Sequence, residues 1–101
     1  MEKRDAYTAL KEKVLDKILE GKERLVMWGF TSTCVQLLAE LQSMGMLDRV
    51  SGVVDTDTGK QGQSVHHLTV ISPQEGSNLP FDTLVITSDE LGFKLLTQRV
   101  G

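Results

Sequence analysis

The sequence is poor in cysteine, in long apolar runs and in excess positive charge, and each shortage excludes a class of protein. The single cysteine, Cys34, cannot form an internal disulfide, which favours a reducing cytoplasm. Eleven basic against 14 acidic side chains give a formal charge of −3, the wrong sign for neutralising nucleic-acid phosphates. The longest apolar run, Leu25–Trp28, is far shorter than the roughly 20 residues of a membrane helix. We therefore expect a cytoplasmic protein that binds neither nucleic acid nor membranes, and no signal peptide in its charged first 24 residues.

The size of the chain limits it to one modest core. Its 101 residues, 40 % hydrophobic and 25 % charged, are typical of one globular domain and exclude a two-domain enzyme. Charge divides the chain, because residues 1–24 carry seven basic and six acidic side chains and residues 25–101 carry four and eight. We interpret residues 1–23 as an N-terminal amphipathic helix and residues 24–101 as a Rossmann-like half domain.

An amphipathic pattern marks the first segment. Tyr7, Leu10, Val14 and Ile18 recur at spacings of three and four, which predicts a helix that ends near Gly21. Its mixed charges favour a helix docked on the rest of the domain over one lying on a membrane. A dimerisation helix is an open alternative.

Short apolar runs then alternate with helical patterns, which predicts an α/β fold. Hydroxyl residues precede the second predicted helix, and a capping box at Ser72–Glu75 starts a third helix of one or two turns. Thr87 and Ser88 precede a last predicted helix, which has Leu91, Leu95 and Leu96 facing inward. We expect a small three-layer Rossmann-like domain with a mainly parallel four-stranded sheet in the order 3-2-1-4. The predicted strands are residues 25–28, 50–54, 68–71 and 83–86.

The turn after the first predicted strand is the first candidate site. Of the three glycines in the dinucleotide template G-x-G-x-x-G, only Gly29 is present, and Thr31 and Cys34 occupy the other two positions. A helix N-terminus with three hydroxyls still offers donors to a phosphate, although those hydroxyls could equally serve only as helix caps. The candidate ligands are a nucleotide, a nucleotide-sugar or NAD. The candidate binding residues at this rim are Gly29, Phe30, Thr31, Ser32, Thr33, Thr87 and Ser88.

Asp55 ends the second predicted strand, 26 residues after Gly29, near the spacing at which a carboxylate meets a ribose hydroxyl. A strand-end carboxylate that only caps a loop is the alternative. The segment that it opens does not match a calcium loop, because His66 stands where the bidentate glutamate belongs. The neighbouring His66 and His67 point to opposite sides of a strand and predict no metal site.

Catalytic chemistry has little support in the sequence. Cys34 lies on the apolar face of its helix, and Met27 and Trp28 lie in the first strand, so we interpret all three as core. No motif places a nucleophile beside an acid or base, so we expect no free-standing enzyme.

Four short runs resemble the Rossmann-like domain that ends sugar C-methyltransferases, with relatives in sugar O-acyltransferases and nucleotide-sugar dehydratases. The resemblance spans residues 25–100 and implies a module that binds or positions a nucleotide-linked sugar, with catalysis housed elsewhere. It also implies that Gly29 and Asp55 face the nucleotide and that Lys60 meets a phosphate. The runs are Val53-Val54-Asp55, Lys60-Gln61-Gly62, Val70-Ile71-Ser72-Pro73-Gln74-Glu75 and Phe81-Asp82-Thr83-Leu84-Val85-Ile86.

Two hypotheses follow. The first is a non-catalytic module that binds a nucleotide or nucleotide-sugar at the first strand turn, either as an accessory fragment of a sugar-modifying enzyme or as a stand-alone relative. The second is an interaction or regulatory domain that forms a homodimer or docks on another domain through its first helix or an open sheet edge.

Overall fold

The structure is a computed structural model that describes residues 6–88 and 94–97. Its helices are α1 (Ala6–Gly21), α2 (Ser32–Ser43) and the single turn α3 (Pro73–Gly76), with a 3-10 turn at Leu47–Arg49. Within the described residues, no helix is long and apolar enough to cross a membrane. The strands are β1 (Leu25–Trp28), β2 (Val50–Val54), β3 (Ser64–Val65), β4 (Leu68–Ile71), β5 (Thr83–Ile86) and β6 (Lys94–Thr97).

These strands form one sheet in the order β3-β4-β2-β1-β5-β6. The inner strands β4, β2, β1 and β5 are parallel, and they are the four predicted strands in the predicted order. The α/β class is thus confirmed. The expectation of a four-stranded sheet is wrong, because β3 and β6 add an antiparallel strand at each edge and make the sheet mixed.

The prediction of a last helix is wrong over residues 94–97, which form β6. Leu96 lies opposite Leu84 of β5 and is 50 % exposed, whereas Leu95 packs against the core. This alternation is that of a strand with one buried face. Leu91, which completed the helical spacing, lies outside the described residues.

The hydrophobic core lies on one face of the sheet. Helices α1 and α2 both pack there, and Cys34 and Met27 are fully buried, as the sequence predicted. The opposite face carries α3, which lies so close to β2 that a Cβ on Gly76 would come 2.4 Å from Val54 Cγ2. The core residues of α1 and α2 are Leu10, Val14, Ile18, Cys34, Leu37, Leu38 and Leu41.

Helix α1 is held to α2 by polar contacts as well as by its apolar stripe. The Tyr7 hydroxyl donates a hydrogen bond to the Glu40 carboxylate, and Lys11 Nζ lies 3.3 Å from Glu40 Oε1. The helix ends at Gly21, as predicted, but the left-handed residue that follows is Lys22 (φ 51°), whose N–H donates to Ile18 O.

Candidate functional site

A polar cleft of about 340 Å³ lies beyond the carboxyl ends of β1, β2 and β5. Five of the nine predicted site residues line it: Gly29, Thr31, Asp55, Lys60 and Ser88. The other four predicted residues, Phe30, Ser32, Thr33 and Thr87, are not part of its lining. Three lining residues were not predicted as site residues: Trp28, Thr56 and Asp57.

Gly29 is required by a close approach of two chain segments. Its φ is +111°, a conformation open mainly to glycine, and its N–H donates to Val54 O at 2.7 Å. A Cβ at this position would lie 2.8 Å from the backbone nitrogen of Ser88. In this structure the glycine therefore brings the β1 turn against the segment after β5.

Thr31 is the N-cap of α2. Its Oγ1 accepts a hydrogen bond from the N–H of Cys34 at 3.2 Å and donates one to Thr87 O at 2.7 Å. Thr31 is thus a helix cap, one of the two roles left open by the sequence. The single proton of this hydroxyl is already engaged in a hydrogen bond to Thr87 O, so a phosphate would have to compete for it.

Thr87 connects β5 to β1 inside the protein. It is fully buried, and its Oγ1 lies 2.6 Å from Gly29 O and 3.1 Å from Trp28 O, both of which accept from it. Because the hydroxyl has one proton and that proton is used here, the structure gives Thr87 a positioning role beneath the cleft.

Asp55 holds two loops together at the floor of the cleft. The residue is 8 % exposed, and its Oδ2 accepts from Phe30 N–H at 2.7 Å while its Oδ1 accepts from Asp57 N–H at 2.8 Å. Its main-chain oxygen also accepts from Gln61 Nε2 at 2.8 Å. Of the two roles considered for Asp55, loop cap and ribose contact, the structure shows the loop cap.

The charges nearest to solvent are those of Asp57 and Lys60. The exposed Asp57 accepts from Gly59 N–H through Oδ1 at 2.8 Å, an Asx turn that shapes the loop. Lys60 Nζ lies 3.9 Å from Asp55 Oδ2, and its side chain is 39 % exposed. With two carboxylates and one ammonium, the cleft has a net negative charge. A negative lining opposes a chain of phosphates more strongly than a single one.

The cysteine and the histidines lie elsewhere. Burial raises the pKa of the Cys34 thiol to about 12, so it stays protonated and unreactive near neutral pH. His66 and His67 form the exposed two-residue turn between β3 and β4, at one edge of the sheet. Across the described ranges, no group of three or more metal-ligating side chains comes together.

The prediction that Trp28 is a core residue is wrong, because its side chain is half-buried and lines the cleft. It stands at the carboxyl end of β1, the position from which a side chain reaches the rim of a parallel sheet. That position was a signal available in the sequence.

Trp28 also lines a second cavity, an apolar groove of about 140 Å³ on the face of the sheet that carries α3. The two cavities therefore share one lining residue. The remaining residues that line the groove are Val26, Val54, Pro73, Gly76, Ser77, Phe81 and Leu84.

Comparison with known proteins gives one family. The family model described as C2185-like, N-terminal matches residues 21–96, which include β1 to β5 and the whole cleft. No significant match was found among curated proteins or among solved structures.

Proposed function

The chain belongs to the C2185-like N-terminal family, and we propose that it is a non-catalytic Rossmann-like module that binds a nucleotide or a nucleotide-sugar. The observation that carries this proposal is the position of the cleft. After β4 the chain crosses to the other side of β1 and forms β5, so β1 and β5 flank the switch point of the parallel strands. In open α/β sheets, ligands bind outside the carboxyl ends of the strands at such a point.

The chemistry of the lining supports the same ligand class. Lys60 supplies a cation for one phosphate, and the exposed Asp57 carboxylate has acceptor capacity for sugar hydroxyls. A volume of about 340 Å³ is near the lower end of ligand sites, which span about 300–1,000 Å³. We therefore favour a mononucleotide or part of a nucleotide-sugar over NAD.

A binding role without catalysis is supported by where the reactive groups lie. Cys34 is buried and protonated, and the two histidines are at the β3–β4 turn. The resemblance to the end domain of sugar C-methyltransferases adds the proposal that this module presents a nucleotide-linked sugar to chemistry performed elsewhere. The one cysteine of the chain is free, which supports a cytoplasmic location as part of the proposal.

The test is a titration of the isotope-labelled protein with nucleoside phosphates, sugar nucleotides and NAD, followed by backbone amide shifts. We expect shifts at Gly29, Lys60 and Ser88, and an affinity about three- to tenfold lower for Lys60→Gln because one charged contact to phosphate is lost. The matched control is Lys13→Gln, which removes an exposed lysine of α1 away from the cleft. Absence of a response at these amides with every ligand would overturn the proposal.

A second candidate function, an interaction module, is favoured by the β6 edge. Among the strands that the structure describes, β6 pairs with β5 alone, and its Leu96 is 50 % exposed. Helix α1 contacts this strand and carries Leu19, which is 63 % exposed. Unpaired edge strands with apolar side chains are sites for pairing with another chain.

Light scattering over a range of concentrations tests this alternative. We expect a dimer that dissociates on Leu96→Lys, since a charge on the edge strand opposes pairing. The control is Val35→Lys, which places the same charge on an exposed position of α2. A protein that is monomeric at every concentration would contradict a homodimer.

A further inference from the structure

Trp28 lines both the polar cleft and the apolar groove, so the two cavities are neighbours with different chemistries. We propose that the groove receives the base of the nucleotide while its sugar and phosphate lie in the cleft. This inference rests on the proposed function and extends it, because it assigns a place in the protein to each part of the ligand.

The apolar lining of the groove suits an uncharged aromatic ring and disfavours a charged group. Val26, Val54 and Leu84 from three neighbouring strands line it, together with Phe81 and Pro73. An ionised group placed among these side chains would lose its hydration without a partner. A flat base with an apolar face keeps favourable contacts there, and aromatic neighbours add to them.

The size of the groove also fits a single ring. A dry cavity of about 150 Å³ lined by apolar side chains accommodates benzene, and the groove has about 140 Å³. A pyrimidine therefore matches the space, which makes uridine monophosphate the suitable probe. Ribose 5-phosphate is its counterpart without the base.

The place of the groove in the fold explains why it is open. α3 is a single turn, ended after Gly76, so it covers only part of the sheet face on which Trp28 and Leu84 lie. Ser77, the residue after that turn, is exposed at the rim of the groove, and its Oγ donates to Gln74 O at 2.7 Å. A larger side chain at this position would occupy the groove from the solvent side and leave the cleft intact.

Trp28 gives the experiment its own reporter, since it is the single tryptophan of the chain. We expect uridine monophosphate to change its emission and to shift the amides of Gly76 and Ser77. We expect ribose 5-phosphate to shift only cleft amides, such as those of Gly29 and Lys60. The nucleotide should bind about tenfold more tightly, the gain typical of one base against an aromatic side chain.

The matched variants are Ser77→Phe and Ser77→Ala, which lose the same hydrogen bond while only the first fills the groove. We expect Ser77→Phe to lower the affinity for uridine monophosphate to that for ribose 5-phosphate, and Ser77→Ala to keep the tenfold difference. Because Trp28 lines both cavities, the wild-type amide shifts at Gly76 and Ser77 decide the matter, even where a variant fails to fold.

Failure of this inference is distinct from failure of the proposed function. Equal affinities of the two ligands, with shifts in the cleft and none at Gly76 or Ser77, would overturn the base assignment and leave nucleotide binding in the cleft intact. No binding of either ligand would overturn the proposed function and the base assignment together.

Discussion

Replacement of Asp55 by asparagine separates the two roles that a strand-end carboxylate could have. The change keeps the shape of the side chain and removes its charge. In the protein the carboxylate accepts from two backbone N–H groups, those of Phe30 and Asp57, at 2.7 and 2.8 Å. An asparagine has one carbonyl oxygen to serve both donors, so one N–H would face an amide NH2 group.

The expected loss of stability follows from these two bonds. A hydrogen bond to a charged acceptor contributes about 1.5–3 kcal/mol, and a buried donor without a partner costs about 1–3 kcal/mol. The ion pair of the buried Asp55 with the partly exposed Lys60, at 3.9 Å, adds at most about 1 kcal/mol. We expect Asp55→Asn to lower the free energy of unfolding by about 2–4 kcal/mol, which a domain with about 5–15 kcal/mol survives.

Urea unfolding followed by the emission of the single tryptophan measures this loss. The matched control is Asp57→Asn, an exposed acid of the same loop, where asparagine can still accept from Gly59 N–H; we expect a change below about 0.5 kcal/mol. If Asp55→Asn were as stable as this control but bound nucleotide more weakly, Asp55 would be a ligand contact and our account of it as a loop cap would be wrong.

Three further changes test the backbone and the buried thiol. Gly29→Ala should lower the free energy of unfolding by at least about 2 kcal/mol in the same urea assay, because φ is +111° and the new Cβ meets Ser88 N at 2.8 Å. His66→Gly should raise it by about 0.5–1 kcal/mol, because His66 has φ 57° in a two-residue turn; an unchanged midpoint would contradict this. Because burial raises the pKa of Cys34 from 9.0 to about 12, the folded thiol keeps a proton that the unfolded thiol releases, so stability should fall as pH rises above 9. Cys34→Ala should lack this part of the slope in unfolding measured at rising pH.

The elements that could be predicted from the sequence are those specified by neighbouring residues. An apolar run ending at Gly29 and a hydroxyl cap at Thr31 fix β1 and the start of α2 within a few positions. The capping box from Ser72 to Glu75 fixes α3 in the same way. Alternation of such units gives parallel strands, and the usual crossovers give their order.

The edge strands could not be predicted because neither carries a residue pattern that specifies a strand. Leu95 and Leu96 fit a helical spacing as well as a strand, and the strand is stabilised by pairing with Leu84 and Val85 of β5, about ten residues earlier. β3 has only two residues, too few for an alternating pattern. It pairs with β4 because the turn at His66 and His67 brings the two strands together.

The hydrogen-bond partners of the polar side chains could not be predicted from the sequence either. Asp55 accepts a hydrogen bond from the N–H of Phe30, 25 residues away, and the Thr31 hydroxyl donates one to Thr87 O, 56 residues away. The sequence placed these residues at one rim but could not show that they bond to one another there. Long-range hydrogen bonds of this kind follow from the packing of the whole sheet.

These internal bonds decide how a ligand should approach the cleft. Thr31 stands where the dinucleotide template has its second glycine, and its hydroxyl is turned to Thr87 O, so a pyrophosphate has neither the space nor the donor that the template provides. The side of the cleft formed by Lys60 and Asp57 carries the charges that solvent reaches, and Trp28 stands where the cleft adjoins the apolar groove. We therefore expect a bound phosphate to lie at Lys60, away from the N-terminus of α2. Among cleft amides, the largest shift on binding should then fall at Lys60, ahead of that at Gly29.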